Sequence, residues 1–215
     1  MAGAPIRVVV EVGRKRTFAS ALDWPGWSRC GRTEADALDA LSAYRARYAI
    51  VVDAAGVRGL PARPTFEVIE TLAGDATTDF GAPGAVAAVE AEPVDAATAR
   101  RLAAILEASW AAFDAQVAIS PASLRKGPRG GGRDRDAMVE HVENAEAAYS
   151  RKFGVATPTK GGPTTPEAVR AAILECILPG DGAPSTPKGW PLRYGVRRAT
   201  WHVLDHLWEM QDRSD

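Results

Sequence analysis

The chain contains three histidines, and their positions suggest a metal site. His202 and His206 are four residues apart in WHVLDHLWE, a spacing that places both imidazoles on one face of a helix, one turn apart. His141 lies in a separate predicted helix, DRDAMVEHVENAEAAYSRKFG. Three imidazoles that leave one coordination position open can bind a divalent ion together with water or a substrate. We therefore predict that His141, His202 and His206 are metal ligands.

Glu209 is the carboxylate that best accompanies these histidines. It follows His206 by three residues and His202 by seven, so it shares their helix face. A carboxylate there could be a fourth ligand, a general base, or the group that orients an imidazole. We predict a catalytic role for Glu209. Asp205 and Glu140 are weaker candidates, because neighbouring residues on a helix point about 100° apart.

The predicted cofactor is a divalent metal ion, and imidazole ligands suit zinc, nickel, iron and copper alike. An ion held by neutral imidazoles makes a bound water or thiol more acidic, which creates a nucleophile at neutral pH. Transfer reactions through a thiolate and hydrolysis through a hydroxide both remain open. The protein's own thiols, Cys30 and Cys176, match no metal or redox spacing and are predicted to be buried small side chains.

Arginines near the predicted site could bind an anionic substrate. The loop KGPRGGGRDRD places Arg129 and Arg133 around three consecutive glycines, and arginine binds carboxylate or phosphate in a forked geometry. Arg198 precedes His202 by four residues and could reach the same pocket. We predict substrate-binding roles for these three arginines. The alternative is a solvated loop, with Arg193, Arg197 and Arg198 as surface charges or members of ion pairs.

The first part of the chain, residues 1–92, has the pattern of a small α+β domain. Strand-like segments are IRVVVEV, TFASAL, WPGWSRCG and FEVIETL. Between the third and the fourth, TEADALDALSAYRARYAIVV predicts one helix, with Thr33 and Asp36 as a capping pair. The segment GDATTDFGAPGAVAAVEAEP is predicted to form turns.

The second part, residues 93–215, predicts an all-α bundle of four helices. Asp95 and Thr165 are expected to cap the first and third helices. Two long loops separate the helices, which favours a four-helix bundle. The four helical segments are VDAATARRLAAILEASWAAFDAQVA, DRDAMVEHVENAEAAYSRKFG, EAVRAAILECILPG and LRYGVRRATWHVLDHLWEMQDR.

This bundle, with one histidine in its second helix and WHVLDHLWE in its fourth, resembles the DinB-like metalloprotein superfamily over about residues 93–215. The resemblance implies a divalent ion held by His141, His202 and His206. Better understood members include thiol-dependent isomerases and S-transferases, and many members have no assigned reaction. The resemblance therefore implies a metal-dependent transferase or isomerase that uses a low-molecular-weight thiol.

FASALDWPGWSRCGRTEADALDAL resembles part of the HicB-like antitoxin fold, over about residues 6–50. No recognisable DNA-binding motif follows it. We therefore expect a structural or substrate-covering role for this part, and a toxin–antitoxin component is the less favoured alternative. A metal-binding or ligand-binding module without turnover, such as a sensor or carrier, also remains open.

Composition narrows the class of partner. The chain has 26 basic and 27 acidic residues, giving a net charge of −1. It therefore lacks the excess of positive charge with which proteins bind nucleic acid or an anionic membrane. We expect no membrane span, because no apolar run approaches the length of about 18–20 residues that a bilayer span requires. The N-terminus lacks the order of a signal peptide, which predicts a cytoplasmic protein. The predicted partner is a small-molecule substrate, and an exposed apolar stripe on the bundle would favour a homodimer.

Overall fold

The structure is a computed structural model that describes residues 4–127, 131–180 and 188–214. It confirms the α+β class, because the described residues form a four-stranded sheet and seven α-helices. Two 3-10 turns, Ala88–Ala91 and Pro158–Lys160, complete the elements. The elements are β1 (Ile6–Val12), β2 (Thr17–Ala21), β3 (Ser28–Gly31), α1 (Glu34–Ala43), α2 (Arg45–Ala54), β4 (Phe66–Ala73), α3 (Ala76–Phe80), α4 (Ala96–Ile119), α5 (Arg135–Phe153), α6 (Pro166–Ile177) and α7 (Leu192–Arg213).

The sheet has the strand order β3-β2-β1-β4 and is covered on both faces. β1 pairs antiparallel with β2 and parallel with β4. Successive side chains of a strand point to opposite faces. Val8 and Val10 accordingly join the main core, which α1 and α2 share, whereas Val9 packs with Leu22 and Ala87 on the other face. Burial of both faces explains why β1 is apolar almost throughout.

The helix predicted from Thr33 is divided into α1 and α2 at Tyr44. The indole Nε1 of Trp27 donates to the carbonyl oxygen of Leu41 at 2.8 Å. In a continuous helix that carbonyl would accept the amide of Arg45, so the indole interrupts the ladder of hydrogen bonds. The expected capping pair is confirmed, since Thr33 and Asp36 form a reciprocal capping box.

The four helices predicted after residue 92 are present as α4, α5, α6 and α7. The predicted caps are confirmed: Asp95 accepts the amide of Thr98 at 2.7 Å, and Thr165 accepts that of Ala168 at 3.3 Å. α7 packs against α4 and α5, and α5 also contacts α6. The segment expected to contain only turns includes α3 and the 3-10 turn at 88–91.

One hydrophobic core extends through both parts of the chain. It includes Trp27 and Tyr48, whose rings stack 5.3 Å apart, together with Leu106 and Leu204 of the helices. The hydroxyl of Tyr194 on α7 also donates to the carbonyl of Gly84 at 2.9 Å. The N-terminal part of the chain therefore contributes to the placement of α7, and the division at residue 92 stays a sequence-based prediction.

Gly26 provides a test of this packing. It lies in the turn between β2 and β3 at φ +86°, and an added Cβ would be 2.6 Å from Thr200 Cγ2 and 2.9 Å from Leu204 Cδ1 on α7. Gly59 has a similar φ of +96° with nothing within 4 Å of its Cβ position. We expect Gly26→Ala to reduce the free energy of unfolding by about 1–3 kcal/mol more than Gly59→Ala. Urea denaturation measures both losses, and equal losses would contradict close packing of the turn on α7.

The length and hydropathy of α4 correct the expectation that no apolar segment is long enough to span a membrane. An 18-residue window of this helix has a mean hydropathy of 1.3, which by length and composition suffices to cross a bilayer, and α4 is the one such helix among the described residues. Core helices pass the same test. Residues such as Leu106 and Phe113 are buried, whereas Glu107 and Asp114 are exposed, as in an amphipathic core helix.

Candidate metal centre

Two helices, α5 and α7, position the predicted ligands. Gly132, just before α5, lies against Arg213 at the end of α7. At the other end, the ring of Tyr149 on α5 lies 5.1 Å from that of Trp190, just before α7. The two helices therefore run antiparallel. His141 is near the middle of α5, facing the histidine pair of α7.

The structure brings the three histidines together. One ligand nitrogen from each lies within 4.8 Å of the others, and the Nε2 atoms of His141 and His202 are 3.1 Å apart. The ring centroid of His206 is 4.8 Å from that of His141 and 4.7 Å from that of His202. His202 and His206 are buried, with 6% and 8% of their surface exposed, whereas His141 is half-buried. His141 is therefore the most exposed of the three histidines.

The donor set fits a divalent ion. Two imidazole nitrogens bound to one tetrahedral zinc ion at about 2.1 Å would lie about 3.4 Å apart, close to the separation of His141 and His202. His202 Nδ1 is buried and has no hydrogen-bond partner among the described residues, so no hydrogen bond at Nδ1 fixes the tautomer of that ring. Nε2 of His202 can therefore be unprotonated, as a metal ligand must be.

The surroundings keep two of these imidazoles neutral. Burial holds the pKa of His202 well below its usual value, and the nearby His206 and His141 act in the same direction. Burial also lowers the pKa of His141, with a further contribution from His206. Both rings are consequently neutral at neutral pH, so neither would have to lose the proton of an imidazolium ion before binding a metal ion.

Glu209 contacts the centre through His206. Its Oε2 lies 2.9 Å from His206 Nδ1, and its Oε1 pairs with Arg213 Nη1 at 2.9 Å. The hydrogen bond from His206 lowers the pKa of Glu209, with a smaller contribution from Arg213. This contact occupies Nδ1 and leaves Nε2 of His206 for an ion. Of the three roles considered for Glu209, orienting an imidazole is the one that the contacts favour.

Removing this orienting carboxylate should weaken metal binding without abolishing it. We expect Glu209→Ala to lower the affinity for zinc by about 10–100-fold, as is typical for a carboxylate behind a ligating imidazole. Competition with a chromophoric chelator measures the affinity. Glu140→Ala is the matched control, because Glu140 is exposed and adjacent to His141. An equal change in both variants would contradict a specific role for Glu209.

The predicted substrate-binding arginines differ in how well the structure places them. The guanidinium carbon of Arg198 lies 4.9 Å from the ring centroid of Trp201, and Nη1 donates to the carbonyl of Pro83 at 3.3 Å. Arg133 is exposed and has no hydrogen bond or ion pair with the described residues. Its charge is among the lesser causes, after burial, that lower the pKa of His141 and His202, so it lies near the cluster. Arg129 falls at 128–130, outside the described residues.

The structure also places the other residues considered from the sequence. Asp205 pairs with Arg29 of β3 at 2.9 Å, and Glu140 is exposed. Cys30 and Cys176 are free thiols that are partly buried, not fully buried as predicted. The expected core residues Trp201, Leu204 and Trp208 are indeed buried.

Aromatic residues beside the cluster were missed by the sequence analysis. The Tyr149 ring meets the His202 ring edge-on at a centroid distance of 5.6 Å. Trp190 lies between Tyr149 and Tyr194, 5.1 Å from each. For Tyr194, the available signal was its spacing of four residues from Arg198 and of eight from His202, because residues four apart share a helix face.

Comparison of the chain with models of known protein families, with curated proteins and with solved structures finds no match.

Proposed function

We propose that this protein is a divalent-metal-dependent enzyme, a transferase or isomerase that acts through a low-molecular-weight thiol. The observation that carries the proposal is the convergence of His141, His202 and His206 from two helices. Three imidazoles, one of them oriented by a carboxylate, form a typical open metal site. The assignment of a thiol as co-substrate rests on the sequence resemblance of residues 93–215 to DinB-like proteins.

The residues around the cluster suit this chemistry. A divalent ion bound there would supply the acidifying effect that converts a thiol into a thiolate at neutral pH. Glu209 holds His206 in one orientation and is the nearest carboxylate to the cluster with a lowered pKa. The rings of Tyr149 and Trp201 lie beside that of His202, at centroid distances of 5.6 and 6.2 Å.

Positive charge at both ends of the cluster favours an anionic substrate. Arg198 lies one turn before His202 on α7, towards Tyr149. Arg133 and Arg213 lie at the opposite end, beside Glu209. A guanidinium binds carboxylate in a forked geometry. We therefore propose Arg133 and Arg198 as substrate-binding residues for a carboxylate.

The N-terminal part is proposed to support this site structurally. The turn at Gly26 packs on Thr200 and Leu204, close to His202 in the chain. Arg29 pairs with Asp205, the residue before His206, and its guanidinium carbon lies 3.8 Å from the centroid of the Tyr44 ring. These contacts hold the histidine-bearing turns of α7 against the sheet.

Cobalt substitution tests the proposed function. Co²⁺ bound by imidazoles has visible absorption bands, and a thiolate that joins it adds a charge-transfer band in the near ultraviolet. We expect that band when a panel of small thiols is added to the cobalt-loaded protein, and its absence when the same thiols are S-methylated. Cobalt bound without a thiolate band would contradict the thiol function and leave the metal site intact.

A further inference from the structure

A cavity lies at the end of α5, next to the histidine cluster. Its volume is about 370 Å³, and it is lined by Ala148, Tyr149, Arg151, Lys152, Lys188 and Trp190. This volume is within the range of small-molecule sites, which is about 300–1,000 Å³. None of its lining residues belongs to the proposed ligand set.

Two hydrogen bonds to backbone carbonyls hold the wall of this cavity in place. The amide of Trp190 donates to the carbonyl oxygen of Lys152 at 3.0 Å. In return, Lys152 Nζ donates to the carbonyl oxygen of Lys188 at 3.2 Å. The segment that carries Lys188 and Trp190 is thus attached to the last turn of α5, and the indole of Trp190 is supported by Tyr194. Tyr149 and Trp190 remain partly exposed and offer planar apolar surface.

All the charged side chains that line the cavity are basic. Arg151, Lys152 and Lys188 line it, and no carboxylate does. Among the described residues, these three cations form no ion pair, in contrast to Lys126 or Arg170, which have acidic partners. Three unpaired cations around a small cavity attract an anion, whereas the two aromatic rings favour a planar apolar group.

We propose that this cavity binds the anionic, planar end of the substrate or of its thiol co-substrate. Tyr149 is shared by the cavity and the histidine cluster, since its ring also meets His202 at 5.6 Å. It follows His141 by eight residues, about 12 Å along the helix. A molecule seated on Tyr149 and Trp190 could therefore extend its other end towards the three histidines. The role as a substrate subsite rests on the proposed function, whereas the binding itself does not.

Calorimetric titration of the full-length protein tests the binding. The probe is naphthalene-2-sulfonate, which is planar, anionic and a poor metal ligand, and its neutral counterpart is 2-naphthalenemethanol. We expect the sulfonate to bind more tightly than the alcohol and to weaken as salt is added. Lys188→Glu should weaken sulfonate binding about three- to tenfold, the range expected when one partly solvated charge is reversed.

Matched variants decide the result. Lys160→Glu makes the same change at an exposed lysine outside the cavity and should leave binding unchanged. Trp190→Ala should remove binding of both probes, with circular dichroism used to confirm that the variant is folded. Equal affinity for the two probes, no binding of either, or equal effects of the two lysine variants would overturn the proposal. Because the titration uses no added metal, a failure here is separate from a failure to bind cobalt or thiol.

Discussion

Replacing His202 with alanine is expected to abolish metal binding at the proposed site. His202 Nε2 faces His141 Nε2 at 3.1 Å in the centre of the cluster, and its loss leaves two imidazoles from different helices. Since a change behind a ligand already costs about 10–100-fold in metal affinity, loss of a ligand should cost more than about 100-fold. Elemental analysis of protein purified without a histidine tag should show one ion per chain in the wild type and almost none in the variant.

His141→Ala is a second test of the site, in case the His202→Ala variant does not fold. His202 is buried, so its replacement could disturb α7, whereas His141 is half-buried and its replacement leaves α7 intact. Both variants should lose the ion, and the exposed neighbour variant Glu140→Ala should keep it. An ion retained by His202→Ala and His141→Ala alike would place the metal elsewhere. A wild type that binds no ion after reconstitution with zinc, nickel or iron would make the three histidines structural.

The second large effect is expected from an ion pair inside the protein. Arg197, for which the sequence predicts a surface charge or membership of an ion pair, is buried and paired with Glu90. Arg197 Nε donates to Glu90 Oε1 at 2.5 Å and Nη2 to Oε2 at 2.9 Å, with both side chains 2% exposed. Glu90→Ala would leave the guanidinium buried without its counter-charge, which should cost about 3–5 kcal/mol of unfolding free energy.

Two comparisons isolate this effect. Asp136→Ala breaks the pair of Asp136, which is 78% exposed, with Arg135 and should cost at most about 1 kcal/mol. The double variant Glu90→Leu/Arg197→Met removes both charges and should recover most of the stability lost by Glu90→Ala, because apolar pairs often replace buried ion pairs without loss. Urea denaturation measures all three. A loss in Glu90→Ala no larger than that in Asp136→Ala would contradict the importance of the pair.

The position of this ion pair links stability to the site. Glu90 lies in the 3-10 turn at 88–91, and Arg197 lies on α7 five residues before His202. Arg197 Nη2 also donates to the carbonyl of Ala85 at 2.9 Å. The segment after α3 is thereby attached to the helix that carries two of the three histidines.

Much of the helical structure and the identity of the candidate ligands could be predicted from the sequence. The bounds of α4, α5 and α7 follow from apolar residues at helical spacing and from caps such as Asp95, which act within a few residues of the chain. The shared face of His202, His206 and Glu209 follows from helix geometry alone. These features depend on local spacing, and local spacing is fully present in a sequence.

Other features depend on contacts between residues far apart in the chain. The break at Tyr44 requires the indole of Trp27, and the burial of Arg197 requires Glu90, 107 residues away. The spatial meeting of His141 with the α7 pair, and the cavity between Tyr149 and Trp190, likewise depend on how α5 packs on α7. Residue type and local spacing are enough to show which side chains could bind a metal ion. Which of them meet depends on the packing of α5 on α7, because helix packing sets the distances between elements.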